Sequence, residues 1–494
     1  MNLDQLLAGL DAASVSPEQP RQQRLYRLLK EAIVDGRLAG GARLPSSRQL
    51  AADAGMARNT VLYAYQQLLA EGFLLADRRG TQVASLPQLG RAGIAGAADE
   101  MGGVGLSRRA AGLHRRADEP LLPFAPGVGD LNAFPWSSWA RHLRKAWGEV
   151  SARQLAYAEA GGEPLLLRAL ADDLRARRGV DCTPEQVFVV AGAQMALDAC
   201  ARLLADAGDT VWLENPGYTA VRSVMLAAGL QSLPVPVDGQ GMAPGEELWK
   251  SHPPRLIYLT PSHQYPLGAV LSLERRLEFL GRLAGSGWII EDDYDSEFCH
   301  ASPGRRPLPA IQGLQSDAPV VYVGTFSKLL YPGLRIAYMV VPRWIARRFG
   351  EGIAGLYRGG QAVEQRALAR FIENGGLTRH LRAMAPIYRR RQALLRQALQ
   401  ANFGAAVDIL GGEAGLHLTL RLPQGPCDRE IVRRAAGLGV TARALSDYGV
   451  AGPGQPVENG LVLGYGMADE KLIPELVGRL ARATLDAVQH PPAQ

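Results

Sequence analysis

The chain has 494 residues, 47% of them hydrophobic and 21% charged, and a formal net charge of +6. That length leaves room for two or three domains with a large core, and no apolar stretch approaches the roughly 18 residues of a membrane span. Cys182, Cys200, Cys299 and Cys427 contain no Cys-x-x-Cys pair, which argues against a disulfide framework or a zinc site. The eight histidines show no ligand spacing, so no metal is expected. The start Met1-Asn2-Leu3-Asp4 lacks the basic opening and apolar core of a signal peptide. A reduced, cytoplasmic compartment is the expectation.

The charge is unevenly placed. Between Pro20 and Ser85, ten arginines and lysines stand against five acids, which leaves +5 in that segment and the remainder close to neutral. Such asymmetry points to a nucleic-acid partner, although a solvated basic face carries the same excess. The elements in the segment decide between the two. Leu25, Leu28, Leu29 and Ile33 predict a helix over 21–34. Ser46 with Gln49 has capping-box spacing for a second helix ending near Ala54-Gly55. Gly55 to Arg58 form a tight turn, a third helix follows from Asn59 to Leu69, and 72–83 reads as a short hairpin with Arg78 and Arg79 at its turn.

This order describes a winged helix-turn-helix, an α+β head over 20–85. Arg58, Asn59 and Thr60 open the third helix with side chains suited to base edges and phosphates, and Arg78 and Arg79 on the wing would reach phosphate or minor groove. A helical bundle serving only dimerisation is the plainer reading. Gly41-Ala42-Arg43-Leu44-Pro45-Ser46-Ser47-Arg48-Gln49-Leu50-Ala51, then Arg58-Asn59-Thr60-Val61 with Ala64-Tyr65, then Glu71-Gly72-Phe73 resemble the GntR family of bacterial regulators. The resemblance implies that Arg43, Ser46, Arg48 and Tyr63 join Arg58, Asn59, Thr60, Arg78 and Arg79 on double-stranded operator DNA. Two departures stand out: Ala57 replaces the usual serine before the third helix, and the wing tip is short.

Residues 86–120 are rich in Gly, Ala and Arg and poor in large apolar groups, the composition of a flexible linker. From 121 to 494, short apolar strands alternate with helical patterns, which predicts an α/β domain with a mostly parallel sheet. Polar groups follow the strands directly. Val187–Val190 leads to Ala193 and Gln194 at a helix start, a candidate phosphate cradle. Val211–Leu213 leads to Tyr218, whose ring could stack on a flat ring, and Leu256–Leu259 leads to Thr260-Pro261-Ser262-His263-Gln264-Tyr265-Pro266. Trp288–Ile290 leads to Glu291-Asp292-Asp293-Tyr294-Asp295, an acid cluster that could also be a metal site or a solvated loop. Each group lies at the carboxyl end of a predicted strand, where open α/β sheets place ligands.

Lys328, one of only five lysines, follows the strand Val320–Val323 and stands beside Thr325 and Ser327, with Arg335 seven residues on. A surface lysine is the ordinary reading of one such residue. With hydroxyls and an arginine at a strand mouth, however, it suits pyridoxal phosphate (PLP): the amine forms a Schiff base, and the hydroxyls and guanidinium hold the phosphate. Residues 121–494 resemble fold-type I PLP-dependent aminotransferases, which implies an α/β domain with a smaller C-terminal subdomain. By motif, Lys328 would carry the Schiff base, Asp292 would pair with the pyridine nitrogen, Tyr294 would contact the ring oxygen and Tyr218 would stack. Ala193, Gln194, Thr325, Ser327 and Arg335 would line the phosphate site, and His263 would join the cofactor set. Tyr157 would reach the phosphate of the neighbouring subunit, implying a homodimer. The enzymes carry a C-terminal arginine that grips the substrate carboxylate; here the matching strand, Gly460–Gly466, has none. Arg222 or Arg358 could substitute.

A GntR-like head on an aminotransferase-like body resembles the MocR subfamily of bacterial regulators. The resemblance implies a homodimeric, PLP-binding transcription factor that senses an amine, an amino acid or PLP itself. Two rivals remain open: a working aminotransferase with an accessory DNA-binding head, and a DNA-binding protein whose body is only a dimerisation scaffold.

Overall fold

The computed structural model describes residues 19–85, 107–111, 113, 123–157, 161–298, 308–404, 407–452 and 456–490. The chain divides into two compact units, residues 1–105 and 106–494. The stretch expected as a linker lies outside the described residues except for 107–111 and 113, where Arg108–Ala111 forms a single helical turn and Arg109 donates to the carbonyl of Ala227, 3.4 Å away.

In the first unit, α1 (Arg21–Val34), α2 (Ser47–Asp53) and α3 (Arg58–Ala70) pack beside β1 (Arg43–Leu44), β2 (Leu74–Asp77) and β3 (Gly80–Val83). The helical spacing of Leu25, Leu29 and Ile33 puts one face of α1 into a core with Leu50, Val61, Leu68 and Leu74. Ser46 caps α2 by accepting from the Gln49 N–H at 3.2 Å, but the Gln49 side chain reaches forward to Asp53 Oδ1 at 2.8 Å. Only half of the expected capping box forms. Helix α3 has Ala57 at its N-cap and so no side-chain cap, consistent with the departure noted above. Two residues carry no periodicity, so β1 has no signature in the sequence. It pairs antiparallel with β3, Arg43 opposite Gln82 and Leu44 opposite Thr81.

The second unit is built on an eight-stranded sheet: β4 (Val187–Val190), β5 (Thr210–Asn215), β6 (Gln231–Asp238), β7 (Gly241–Met242), β8 (Leu256–Leu259), β9 (Trp288–Asp293), β10 (Val320–Thr325) and β11 (Ala337–Val340). Their spatial order is β4-β11-β10-β9-β8-β5-β6-β7. The centre is parallel, and β11 runs against both neighbours, so β4 again shares the direction of β10. β9 and β10 are buried along their whole length, as apolar runs covered on both faces must be. Alternation divides each strand: Ile257 and Leu259 pack with Phe279, Leu280 and Leu283 on one face, while Leu256 and Tyr258 join Leu197, Cys200 and Met225 on the other. Truncating such a residue to alanine costs about 2–5 kcal/mol. β6 escapes the sequence pattern because Pro234 and Pro236 read as breakers. The carbonyl of Pro236 accepts from Ala243 on the side away from β5, so both missing N–H groups fall where the parallel ladder does not need them.

Flanking the sheet are α4 (Trp136–Gly148), α5 (Pro164–Arg178), α6 (Ala193–Leu204), α7 (Thr219–Ala228) and α8 (Leu273–Leu283). A smaller antiparallel sheet, β12 (Asp408–Leu410), β13 (His417–Arg421), β14 (Arg443–Ala444) and β15 (Gly460–Gly464), has the order β12-β13-β15-β14. It is the C-terminal subdomain that the resemblance implied. No described helix is long and apolar enough to cross a membrane.

Candidate cofactor cleft and nucleic-acid interface

The carboxyl ends of β4, β5, β8, β9 and β10 open on one cleft of about 1040 Å³. Lys328 lies in it, three residues beyond β10, and donates from Nζ to the carbonyl of Gly127 at 2.5 Å. Gly127 has φ +85°, and a Cβ there would stand 3.0 Å from the amine, so a bare backbone gives the lysine its seat. Burial lowers the amine below its ordinary pKa, and the charges of Asp295 and Asp292 oppose that only in part.

Period-two alternation splits the acid cluster. Asp293 turns away from the cleft to a buried ion pair with Arg178, 2.7 Å, while Glu291 accepts the backbone N–H groups of Ile311 and Gln312 at 2.9 and 3.0 Å. Asp292 turns into the cleft. Its Oδ2 accepts from the Tyr258 hydroxyl at 2.7 Å, whereas Oδ1 is buried with no partner. Desolvation pushes this carboxyl up to about 6. A buried acceptor left open costs about 1–3 kcal/mol, and a ring N–H donor would answer it.

The other predicted residues group around these two. Ala193 and Gln194 begin α6, and Gly192 before them has φ +97°, with a hypothetical Cβ only 2.5 Å from Arg335 Nη2. Arg335 donates to the Ala191 carbonyl at 2.9 Å, and the Thr325 and Ser327 hydroxyls lie 3.1 Å apart. A helix N-terminus, two hydroxyls and a guanidinium therefore converge as an anion cradle. Tyr218 lines the cleft, its ring edge-on to Tyr265 with centroids 6.2 Å apart. Tyr294 also lines it and donates to the His263 carbonyl at 2.8 Å.

Two predicted residues stand apart from the lining. His263 is 2% exposed and sits behind Tyr294, with its Nδ1 3.0 Å from Asp295 Oδ1. Tyr157 is 81% exposed, with the Arg358 guanidinium 5.2 Å from its ring centroid. Of the two arginines considered as carboxylate partners, Arg222 lines the cleft and Arg358 does not. Sequence reasoning missed Gly127, Tyr258, Asp295, His417, Arg429 and Arg443, all of which line it. Asp295 was visible in the acid run; the others give no local signal.

The structure also gathers His263, Asp295 and His417, with donor atoms within 4.8 Å of one another, a grouping that spacing along the chain does not show. His417 Nε2 donates to the Pro266 carbonyl at 3.0 Å, and burial holds its imidazole well below the ordinary value, hence neutral.

In the first unit, Arg43, Arg48, Arg58, Asn59, Arg78 and Arg79 are exposed, as is Ser46; Thr60 and Tyr63 are half-buried. Arg58 Nε lies 3.5 Å from Ser47 Oγ, which links the start of α3 to α2. Arg43 donates to the Arg79 carbonyl at 3.4 Å, tying β1 to the wing. Exposed arginines thus stand at the start of α3 and on the hairpin, a residue type suited to phosphate and base edges.

Two family profiles match: bacterial regulatory proteins of the gntR family over residues 21–83, and aminotransferase class I and II over residues 128–444. The chain is 38% identical over 477 residues to the probable rhizopine catabolism regulatory protein MocR of Rhizobium meliloti, covering 94% of each chain. It is 31% identical to the pyridoxine biosynthesis transcriptional regulator PdxR of Corynebacterium glutamicum, over 97% of this chain and 99% of that one. Among solved structures, LysN, the α-aminoadipate aminotransferase of Thermus thermophilus complexed with N-(5'-phosphopyridoxyl)-L-leucine, matches with a TM-score of 0.67 and 26% identity over 74% of this chain and 93% of that one. With both profiles present in this order and such regulators matched along nearly its whole length, the chain belongs to the MocR-type transcription regulators, a GntR-family DNA-binding head joined to a body of the PLP-dependent aminotransferase fold.

Proposed function

We propose that this regulator binds PLP covalently through Lys328, occupies its operator as a homodimer, and answers an amine, an amino acid or PLP itself. The open Oδ1 of Asp292 carries the reading: it is a buried acceptor with no partner in the cleft that also holds Lys328. Bound there, PLP supplies an aldehyde and a ring that takes up negative charge.

The chain's own residues do the rest. Tyr258 fixes the rotation of Asp292, so that Oδ1 can accept from the ring N–H. Burial favours the neutral, nucleophilic form of the Lys328 amine. The α6 start, Thr325, Ser327 and Arg335 would hold the phosphate, with Tyr218 assigned to the ring and Tyr294 to its oxygen. Tyr157, exposed and outside its own cleft, is assigned to the phosphate of the partner subunit. Since β15 carries no arginine, Arg222, Arg429 and Arg443, the cleft-lining arginines besides Arg335, are the candidates for an effector carboxylate. Occupancy would then shift the body between two states and change how the two heads, residues 20–85, span DNA.

The test is absorbance with and without PLP, in the wild type and in Lys328→Ala, alongside operator binding under the same conditions. A Lys328-dependent visible band that accompanies a change in operator affinity supports the reading. Its absence ends the cofactor assignment, and sustained turnover of an amino-acid/keto-acid pair would favour the enzyme reading.

A further inference from the structure

Beside the cleft, three strand ends bring together a donor set that the ring-nitrogen and phosphate contacts leave unused. His263 follows β8, Asp295 follows β9 and His417 opens β13, and one donor atom from each lies within 4.8 Å of the other two. His263 and Asp295 are 2% exposed and His417 3%. Both carboxylate oxygens of Asp295 lie against a single nitrogen, His263 Nδ1, at 3.0 and 3.2 Å. An ionised carboxylate offers about four lone-pair sites, yet among the described residues His263 is its one side-chain hydrogen-bond and ion-pair partner. A buried charge so sparsely answered is costly, and a cation would answer it. His417 is prepared to share that cation. Its Nε2 donates to the Pro266 carbonyl at 3.0 Å, where the Thr419 hydroxyl also donates at 2.6 Å, so Nδ1 keeps its lone pair. A ring N–H on a backbone carbonyl is the usual support of a metal-ligating histidine. Gly415 completes the enclosure: at φ +77° it has no side chain, and a Cβ there would collide with His263 and with Asp295 Oδ2. Its backbone is anchored, the N–H on the Phe298 carbonyl at 2.8 Å and the carbonyl on the Tyr465 hydroxyl at 2.6 Å.

We propose that His263, Asp295 and His417 form a binding site for a divalent transition-metal ion of the zinc type, bridging the large sheet and the C-terminal subdomain. Two imidazoles and one carboxylate suit such ions, whereas magnesium and calcium take oxygen ligands. Zinc bonds of about 2.0–2.1 Å place tetrahedral ligands about 3.3 Å apart. The contact between His263 Nδ1 and Asp295 already has that length. Closing the remaining separations, within 4.8 Å, takes side-chain shifts of at most about 1.5 Å to reach the same spacing. Metal on Nδ1 moves the proton of the neutral His263 ring to Nε2, which is buried with no partner, so no existing hydrogen bond at Nε2 is broken. Three protein ligands leave a fourth position open. Asp295 and His417 line the cleft, which gives a small ligand access to that position. The proposal does not rest on the cofactor reading, since none of the three residues is assigned to the Schiff base or the phosphate.

The experiment titrates the full chain, dialysed against a chelator, with Zn2+ in a calorimeter. The wild type is expected to bind a single equivalent tightly and to melt at a higher temperature with Zn2+ than with the same concentration of Mg2+. Asp295→Asn and His417→Ala should each weaken Zn2+ binding beyond the roughly 10–100-fold that losing a supporting group costs, and remove the rise in melting temperature. With Co2+ as the probe, weak visible d–d bands are expected without the strong near-ultraviolet band of a thiolate ligand. Zn2+ binding that both variants leave unchanged overturns the proposal, as does a thiolate band or binding only at concentrations far above that of the protein. If circular dichroism shows a variant unfolded, His417→Phe, which keeps a ring in place, is judged by the same criterion. Lys328→Ala separates this site from the cofactor. Zn2+ binding retained in that variant supports the three-residue site whether or not PLP attaches to the wild type. Zn2+ binding lost there places the ion on the cofactor and overturns the site.

Discussion

The Tyr258 hydroxyl donates to Asp292 Oδ2 at 2.7 Å and leaves Oδ1 buried and open. One hydrogen bond thus orients a carboxylate whose other oxygen is kept for a ligand. Tyr258→Phe removes the donor and leaves both oxygens without a partner. We expect the cofactor-free protein to lose about 1–3 kcal/mol in urea unfolding and PLP affinity to fall about tenfold. Wild-type values for both would mean that Tyr258 is only a packing residue.

Gly192→Ala tests the anion cradle. Its φ of +97° and the 2.5 Å approach of Arg335 leave no room for a methyl group. The substitution should displace the guanidinium and weaken PLP binding by at least about tenfold, while pyridoxal without its phosphate loses little. Equal losses for the two ligands in a fluorescence titration would place the phosphate elsewhere.

Glu214 lies under the cleft, its Oε2 accepting from the Thr260 hydroxyl at 2.5 Å, and burial raises its carboxyl to about 7. The folded pKa exceeds that of the unfolded chain, so folding favours the neutral acid. Its contribution to stability is complete below the unfolded value near 4.5 and is lost as pH rises through about 7. Glu214→Gln should therefore gain on the wild type at pH 8 compared with pH 5.5. Melting curves at the two pH values check this, and a constant offset would contradict it.

Arg58 and Arg79 are exposed on α3 and on the wing. Arg58→Ala should weaken binding to DNA from the protein's own promoter region by about 1–3 kcal/mol and relax its sequence preference. Arg79→Ala should weaken specific and unrelated DNA alike and lower the salt slope by about one. Fluorescence anisotropy at several salt concentrations distinguishes them, and identical profiles for the two variants would undo the division of roles.

The amino-acid sequence by itself determined what local patterning controls. The spacing of Leu25, Leu29 and Ile33 marked α1, and the apolar runs before Asp292 and Lys328 marked two central strands. A strand end also determines which residues can face a cleft, so the place of Lys328, Asp292, Tyr218, Ala193 and Arg335 in its lining was legible in advance. Only the tertiary structure decided that Asp293 turns to Arg178 and Glu291 to the backbone of Ile311 and Gln312, that Tyr258 holds Asp292, and that Asp295, His263 and His417 meet. It also placed Arg43–Leu44 on the wing sheet and turned Pro234 and Pro236 to the side of β6 away from β5. These are relations between residues far apart along the chain or on neighbouring strands, set by sheet order and register. Periodicity within one segment carries no record of either.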